Sequence, residues 1–218
     1  AEGQAESGTI WSLFSKVAAQ SEGAWIRQEK SAEEICEASL DNRPIAFPYT
    51  KFMVANSSVN QGAGFIVTNL ALARERGVAA DQIIYIGNGA AAHENDDVLL
   101  RDRYDYSAGM EVSLTETLKL NAMELSDIDC AEIYSCFPCV PKMARRVIGW
   151  PEDREATVFG GLTFGGGPIG NYMSHAVVAM VEKLRLEGTN GLLFANGGYA
   201  THNHSIILSN KPVAAASF

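Results

Sequence analysis

An excess of basic charge, a long apolar run and a secretory leader are all missing from this sequence of 218 residues. Its 17 Lys and Arg stand against 26 Asp and Glu, a formal net charge of -9. That balance leaves no basic footprint for DNA or RNA, and it disfavours contact with anionic membranes. No stretch approaches the ~20 apolar residues of a transmembrane helix. The opening Ala1-Glu-Gly-Gln-Ala-Glu-Ser-Gly has neither the basic n-region nor the apolar h-region of a signal peptide. We therefore expect a cytoplasmic protein with no nucleic-acid and no membrane partner. An initiating Met is also absent, so we expect that the chain was trimmed or belongs to a longer one. Cysteine is scarce, at positions 36, 130, 136 and 139, and three of the four sit in or beside apolar sequence. This reads as buried reduced thiols and excludes a disulfide framework. What is present is ordinary for a globular domain: 47% hydrophobic and 20% charged residues, enough to bury a core of useful size.

Two helix-like stretches fall within residues 9–38. The second opens with Ser31, followed three positions later by Glu34, the capping-box signature. Residues 41–62 read as irregular, punctuated by Pro44 and Pro48. Gly64-Phe-Ile-Val-Thr-Asn predicts a buried strand, and residues 70–76 a helix stopped by Gly77. Gln82-Ile-Ile-Tyr-Ile-Gly predicts a second strand, and a polar loop runs from His93 to Asp105. Leu114, Leu118 and Ala122 at four-residue spacing mark an amphipathic helix over residues 112–123. Residues 128–134 form a third strand leading into a helix through Met143 and Val147. A glycine-rich loop, a long helix over residues 171–186 and an antiparallel strand pair at 191–196 and 205–209 complete the pattern. Short apolar strands separated by helices imply an α/β fold with a mixed, mostly parallel five-stranded sheet covered by helices, preceded by an irregular helical N-terminal arm.

Three groups of residues invite chemistry. Cys136-Phe-Pro-Cys139 is a CxxC, with His202 and His204 as further donors. Zinc sites normally offer a second tight pair, and the two histidines, taken as alternating along a strand entry, are expected on opposite faces. No metal is expected from this group, although a zinc or redox module stays open as an alternative. Gly165-Gly-Gly-Pro-Ile-Gly170 contains a formal GxGxxG, but no βαβ unit opens the chain and no acidic residue ends a second strand ~20 positions on. A glycine loop admitting close approach of a ligand is the better reading. Tyr134-Ser135, and Asn196-Gly-Gly-Tyr-Ala-Thr-His202, both follow apolar strands and should project from the edge of the sheet where α/β proteins place ligands. The plainer alternative is a tyrosine and a histidine satisfied within loops. His175, inside a long apolar helix, reads first as a hydrogen-bonded core residue and second as a base, and His93 reads as solvated.

Several segments together resemble one family. Val59-Asn-Gln-Gly-Ala-Gly-Phe-Ile-Val, Asp129-Cys-Ala-Glu-Ile-Tyr-Ser-Cys-Phe, Phe159-Gly-Gly-Leu-Thr-Phe-Gly-Gly-Gly-Pro-Ile-Gly and Ala195-Asn-Gly-Gly-Tyr occur here in this order. They resemble the successive motifs of the C-terminal half of thiolase-superfamily proteins, along roughly residues 15–210. The wording is similar to that of sterol-carrier-protein-type thiolases and the bacterial thiolase-like branch often labelled acetyl-CoA acetyltransferases. The resemblance implies that residues 1–60 are the tail of the loop domain covering coenzyme A, with residues 61–218 the C-terminal domain. It also implies a nucleophilic cysteine in an N-terminal half, on the same or a separate chain.

The departures shape the expected function. The family's catalytic histidine falls at Gly167 and its second catalytic cysteine at Ala195, while Asn-Glu has become Tyr134-Ser135. Claisen chemistry needs a base of matched pKa and an oxyanion hole, and these positions supply no base. The expected activity is acyl transfer or carbon–carbon bond cleavage on acyl-CoA thioesters. Tyr134, Ser135, Tyr199, His202 and His175 are the catalytic candidates, Gly167 and Gly197 the backbone donors to the thioester oxygen, and Ser57 the contact to coenzyme A. No permanently bound cofactor is expected, since coenzyme A enters as substrate. The alternative is a non-catalytic acyl-CoA-binding or scaffold subunit. Expected partners are the N-terminal half, a further copy in a homo-oligomer and a small OB-fold protein. Family members pair through an N-terminal strand not in this sequence, so an exposed apolar flank is expected.

Overall fold

The computed structural model describes residues 2–213. Helix α1 (Glu2–Gln20) turns Ile10, Trp11, Phe14 and Ala18 to one side, and all four are buried. Trp11 and Phe14 stack at 4.9 Å, and the Trp11 indole N–H donates to Thr163 Oγ1 at 2.9 Å. The arm is therefore helical and joined to the body: these side chains share a core cluster with Ile133, Phe194 and Ile207. Helix α2 (Ala32–Cys36) has the predicted capping box, with the Glu34 N–H donating to Ser31 Oγ and the Ser31 N–H to Glu34 Oε2. At its other end Asn42 Nδ2 donates to the carbonyls of Glu34, Ile35 and Glu37, satisfying oxygens that a helix terminus leaves open. A two-residue-scale hairpin follows, β1 (Pro44–Ala46) against β2 (Tyr49–Thr50).

The central sheet is built from β3 (Tyr85–His93), β4 (Cys130–Ile133), β5 (Asn190–Gly197) and β6 (His202–Ser209), in the spatial order β3-β6-β5-β4. It is mixed: β4 and β5 run parallel, while β6 is antiparallel to both its neighbours. Helix α3 (Leu70–Glu75) ends as expected before Gly77, whose φ is +73°. Helix α4 (Ala108–Leu120) packs on β3 and β6, α5 (Cys139–Ile148) follows β4, and α6 (Tyr172–Leu186) lies against β5.

Two features of the expected sheet differ. Among the described residues it has four strands, because the segment at 64–69 joins no ladder; Phe65, Ile66 and Val67 are 50%, 93% and 63% exposed. An apolar run reports a need for burial but not the partner that supplies it. The parallel share is also one pairing, since β3 joins the sheet antiparallel to β6, in addition to the expected antiparallel pair of β5 and β6. Smaller shifts have local causes. β3 continues to His93, and α4 begins at Ala108 because Ser107 caps it, its hydroxyl accepting from the Met110 N–H. Ala122 lies beyond that helix with φ +51°.

The glycine loop after α5 contains a single π-helical turn, Gly161–Gly165. Gly161 has φ +67°, and a Cβ there would come within 2.5 Å of the Phe14 ring. Its glycine thus lets the loop lie directly on α1.

Candidate functional site

Because β4 and β5 are parallel, their C-terminal ends emerge together, and Asn196 Nδ2 donates to the Tyr134 carbonyl at 2.6 Å. Two further segments close on this point. The Ala55 N–H donates to the Cys136 carbonyl at 3.1 Å and the Asn56 N–H to the Leu162 carbonyl at 3.0 Å. Residues 54–57 thereby bridge the turn after β4 and the glycine loop. Along that bridge opens a cavity of about 540 Å³, lined among others by Arg43, Lys51, Phe52, Asn56, Ser57 and Thr163. Ser57 is one of the residues lining this cavity.

The Tyr134 side chain is half-buried, its ring 5.6 Å from that of Tyr172, and its hydroxyl makes no hydrogen bond among the described residues. Burial and nearby Cys136 raise its pKa, so at neutral pH it is a phenol able to donate. Ser135 is committed differently: its hydroxyl donates to the Phe137 carbonyl and accepts from the Phe137 N–H, a local turn. The Gly167 N–H is likewise engaged, donating to the Asn56 carbonyl at 2.8 Å, so it is no free oxyanion donor in this conformation. The Gly197 carbonyl accepts from the Thr201 N–H.

The other candidates lie apart. The Tyr199 hydroxyl donates to the Tyr104 carbonyl at 2.6 Å, and Arg101 donates to the Tyr199 carbonyl. His175 is buried on α6, stacked on Phe159 at 5.3 Å, and its Nε2 has no partner. Burial lowers its pKa, which keeps it neutral. His202 begins β6, directly opposite His93. His202 and His204 point to the same face of the sheet, not opposite faces, because residues two apart on a strand share a side. His93, expected in a solvated loop, ends β3 with its ring 4.3 Å from that of His202. All four cysteines are free: Cys130 is buried and Cys136 exposed, and burial pushes the Cys130 thiol up to about 12. Among the described residues no set of three converging donors includes a cysteine.

A residue that sequence reasoning passed over lies under the site. Glu132, in the middle of β4, is fully buried. It accepts from the Tyr172 hydroxyl at 2.8 Å, Thr157 Oγ1 at 2.8 Å and the Val158 N–H at 2.9 Å. Burial outweighs these donors and raises its pKa to about 7, while burial and the Glu132 charge push Tyr172 well above the usual phenol range. The available signal was a carboxylate inside the apolar run Cys-Ala-Glu-Ile, where an unpaired charge is prohibitive. The carboxyl ties β4 to α6 and to the start of the glycine loop, fixing the floor beneath Tyr134.

An α/β fold with a mixed sheet, whose site gathers at the shared ends of β4 and β5, defines the general class. No family model matches the chain, and no curated protein does. Among solved structures it superposes on a monomeric SCP2-thiolase like protein type 1 from Mycobacterium smegmatis with a TM-score of 0.88 and 30% sequence identity. The match covers 97% of this chain and 48% of that one, so the chain spans about half the length of the protein it resembles. The chain has the thiolase-like fold, as its sequence resemblance implied. Among the described residues no helix is long and apolar enough to cross a membrane.

Proposed function

We propose that the chain is the C-terminal half of a thiolase-fold protein acting on acyl-CoA thioesters, with residues 1–60 the tail of the loop region over coenzyme A and residues 61–218 the C-terminal domain. One juxtaposition carries this reading: the cavity at Arg43, Lys51 and Ser57 is hydrogen-bonded, through Ala55, to the turn that carries Tyr134. Arg43 and Lys51 suit the phosphates of coenzyme A, and the cavity volume suits part of such a ligand. The Tyr134 phenol then donates to the thioester oxygen as negative charge develops there.

Acyl transfer and carbon–carbon cleavage both fit this donor. In cleavage of a β-hydroxyacyl-CoA, the β-hydroxyl loses its proton, its oxygen forms a carbonyl, and the Cα–Cβ pair moves onto the thioester enolate held by Tyr134. The α-carbon is then protonated. Neither Ala195 nor Gly167 supplies the base, so it belongs to the N-terminal half. Phe65, Ile66 and Val67 leave an exposed apolar surface that such a half would cover. A second copy of this chain is the other occupant of that surface. The matched mycobacterial protein is described as monomeric, which favours the half. A cytoplasmic location, expected from the sequence's composition and cysteine usage, and an OB-fold partner, implied by the family resemblance, complete the proposal.

The same substitutions at Gly167 and Ala195 favour a second reading, an acyl-CoA-binding subunit without turnover. Incubating the full protein with acetyl-CoA and with 3-hydroxybutyryl-CoA distinguishes the two. Product formation that falls by about 100-fold or more in Tyr134→Phe, with binding retained, supports the enzyme. Binding without product supports the second reading, and the absence of any binding removes both.

A further inference from the structure

Away from the cavity, the uncovered end of the sheet gathers a second set of reactive side chains. β3 and β6 are antiparallel, and their register sets His93 directly opposite His202, so both imidazoles stand on one face, 4.3 Å apart and edge to face. The chain leaves β3 at His93 and turns back so that Asp96 meets both rings. Asp96 Oδ1 is 3.3 Å from His93 Nε2 and 4.0 Å from His202 Nε2. All three ligand atoms lie within 4.8 Å of one another.

These separations have a simple geometric meaning. Two donors each ~2.1 Å from a common ion, at a tetrahedral angle, are ~3.4 Å apart, and at wider angles ~4 Å apart. The Asp96 distances to the two imidazoles, 3.3 and 4.0 Å, lie close to that range. The supports are firm as well. Both histidines belong to a ladder whose pairings run from Tyr85 to His93. The turn that carries Asp96 is held at Glu94, whose N–H donates to the Thr201 carbonyl at 2.7 Å. The Glu94 carboxylate accepts from Ser107 Oγ and the Gly109 N–H at the start of α4. An Asx turn follows, the Asp97 N–H donating to Asn95 Oδ1. The arrangement is therefore pre-formed from two strands and one pinned turn.

We propose that His93, Asp96 and His202 form a binding site for a divalent first-row transition ion of the zinc class, a function unrelated to the thioester reading. Two imidazoles and one carboxylate match the borderline character of zinc and select against magnesium and calcium, which demand oxygen. Three protein ligands leave a coordination position for water or an anion. The side chains are 51%, 52% and 81% exposed, so the ion can enter without opening the fold. When bound, it clips the end of β3 to the start of β6 and to the turn that follows β3.

The test is a zinc titration of chelator-stripped, desalted protein, read by competition with a chromophoric chelator, beside cobalt(II) absorption of the unmodified protein. One ion per chain is expected, with affinity at least ten-fold weaker in each of His93→Asn, Asp96→Asn and His202→Asn. His204→Asn, on the same face but outside the set, should bind as the parent does. Cobalt should give a visible ligand-field spectrum without thiolate charge transfer, a readout that needs no variant to fold. No stoichiometric zinc, binding that survives in the three variants, or a thiolate band assigning the ion to Cys136 and Cys139 would each overturn the proposal.

Discussion

Replacing Glu132 by Gln removes one titration from the interior while keeping its shape. The native carboxyl holds its proton up to about pH 7, whereas in the unfolded chain it releases it near 4.5. Between those values the native state binds more protons, so stability is fully present at low pH and declines as pH rises through about 7. At about 1.4 kcal/mol per pH unit, the gap sets a ceiling of about 3 kcal/mol on the loss. Gln keeps an acceptor for Thr157 and Val158 and turns a donor toward the Tyr172 oxygen, mimicking the protonated acid. Its imperfect geometry costs about 1 kcal/mol. The Gln variant should therefore be slightly less stable than the parent at pH 5 and more stable at pH 8, by about 1–2 kcal/mol. Urea unfolding at pH 5, 6, 7 and 8 measures this, because every other titrating group cancels in the difference. A difference that stays flat across the series refutes the reasoning. So does a Gln variant that loses more than about 3 kcal/mol at pH 8, which would mean that the charged form, held by Thr157 and Val158, is the native one.

Gly161→Ala forces a side chain into a left-handed backbone and against the Phe14 ring, and should cost about 2–4 kcal/mol in chemical denaturation; a change under 1 kcal/mol would show that the loop can lift off α1. Ser31→Ala removes the cap of α2 and should cost about 1 kcal/mol, with helix amides 33–35 losing hydrogen-exchange protection first. Ile66→Lys, at a residue 93% exposed, should leave the melting temperature of this chain within about 2 °C while abolishing association with the proposed N-terminal half in a pull-down or sedimentation experiment. Retained association would take residues 64–67 out of that contact.

Local rules explain which parts were legible. The capping box at Ser31, the helix stop at Gly77 and the antiparallel pair at 191–196 and 205–209 depend on near neighbours, and all appear in the structure. The strand at 64–69 did not, because Phe65, Ile66 and Val67 announce a need for burial that only a distant surface can meet. At the site, the joint emergence of Tyr134 and Asn196 followed from two strands read as parallel. The engagement of the Gly167 N–H and of the Ser135 hydroxyl could not be read, since the first depends on residue 56 across more than a hundred positions and the second on the turn geometry. Nor could the meeting of His93 with His202, which is a matter of strand register. Glu132 was readable in principle, as a carboxylate within an apolar strand, but its partners at 157, 158 and 172 were not.

The proposed function depends on the cavity beside residues 43–58 binding coenzyme A. Titration calorimetry of coenzyme A into the protein, the parent against an Arg43→Ala, Lys51→Ala double variant, tests it most directly. Two exposed cation–phosphate contacts at about 1 kcal/mol each predict saturable binding weakened roughly 30-fold in the double variant. No binding by the parent, or equal affinity in both, would contradict it.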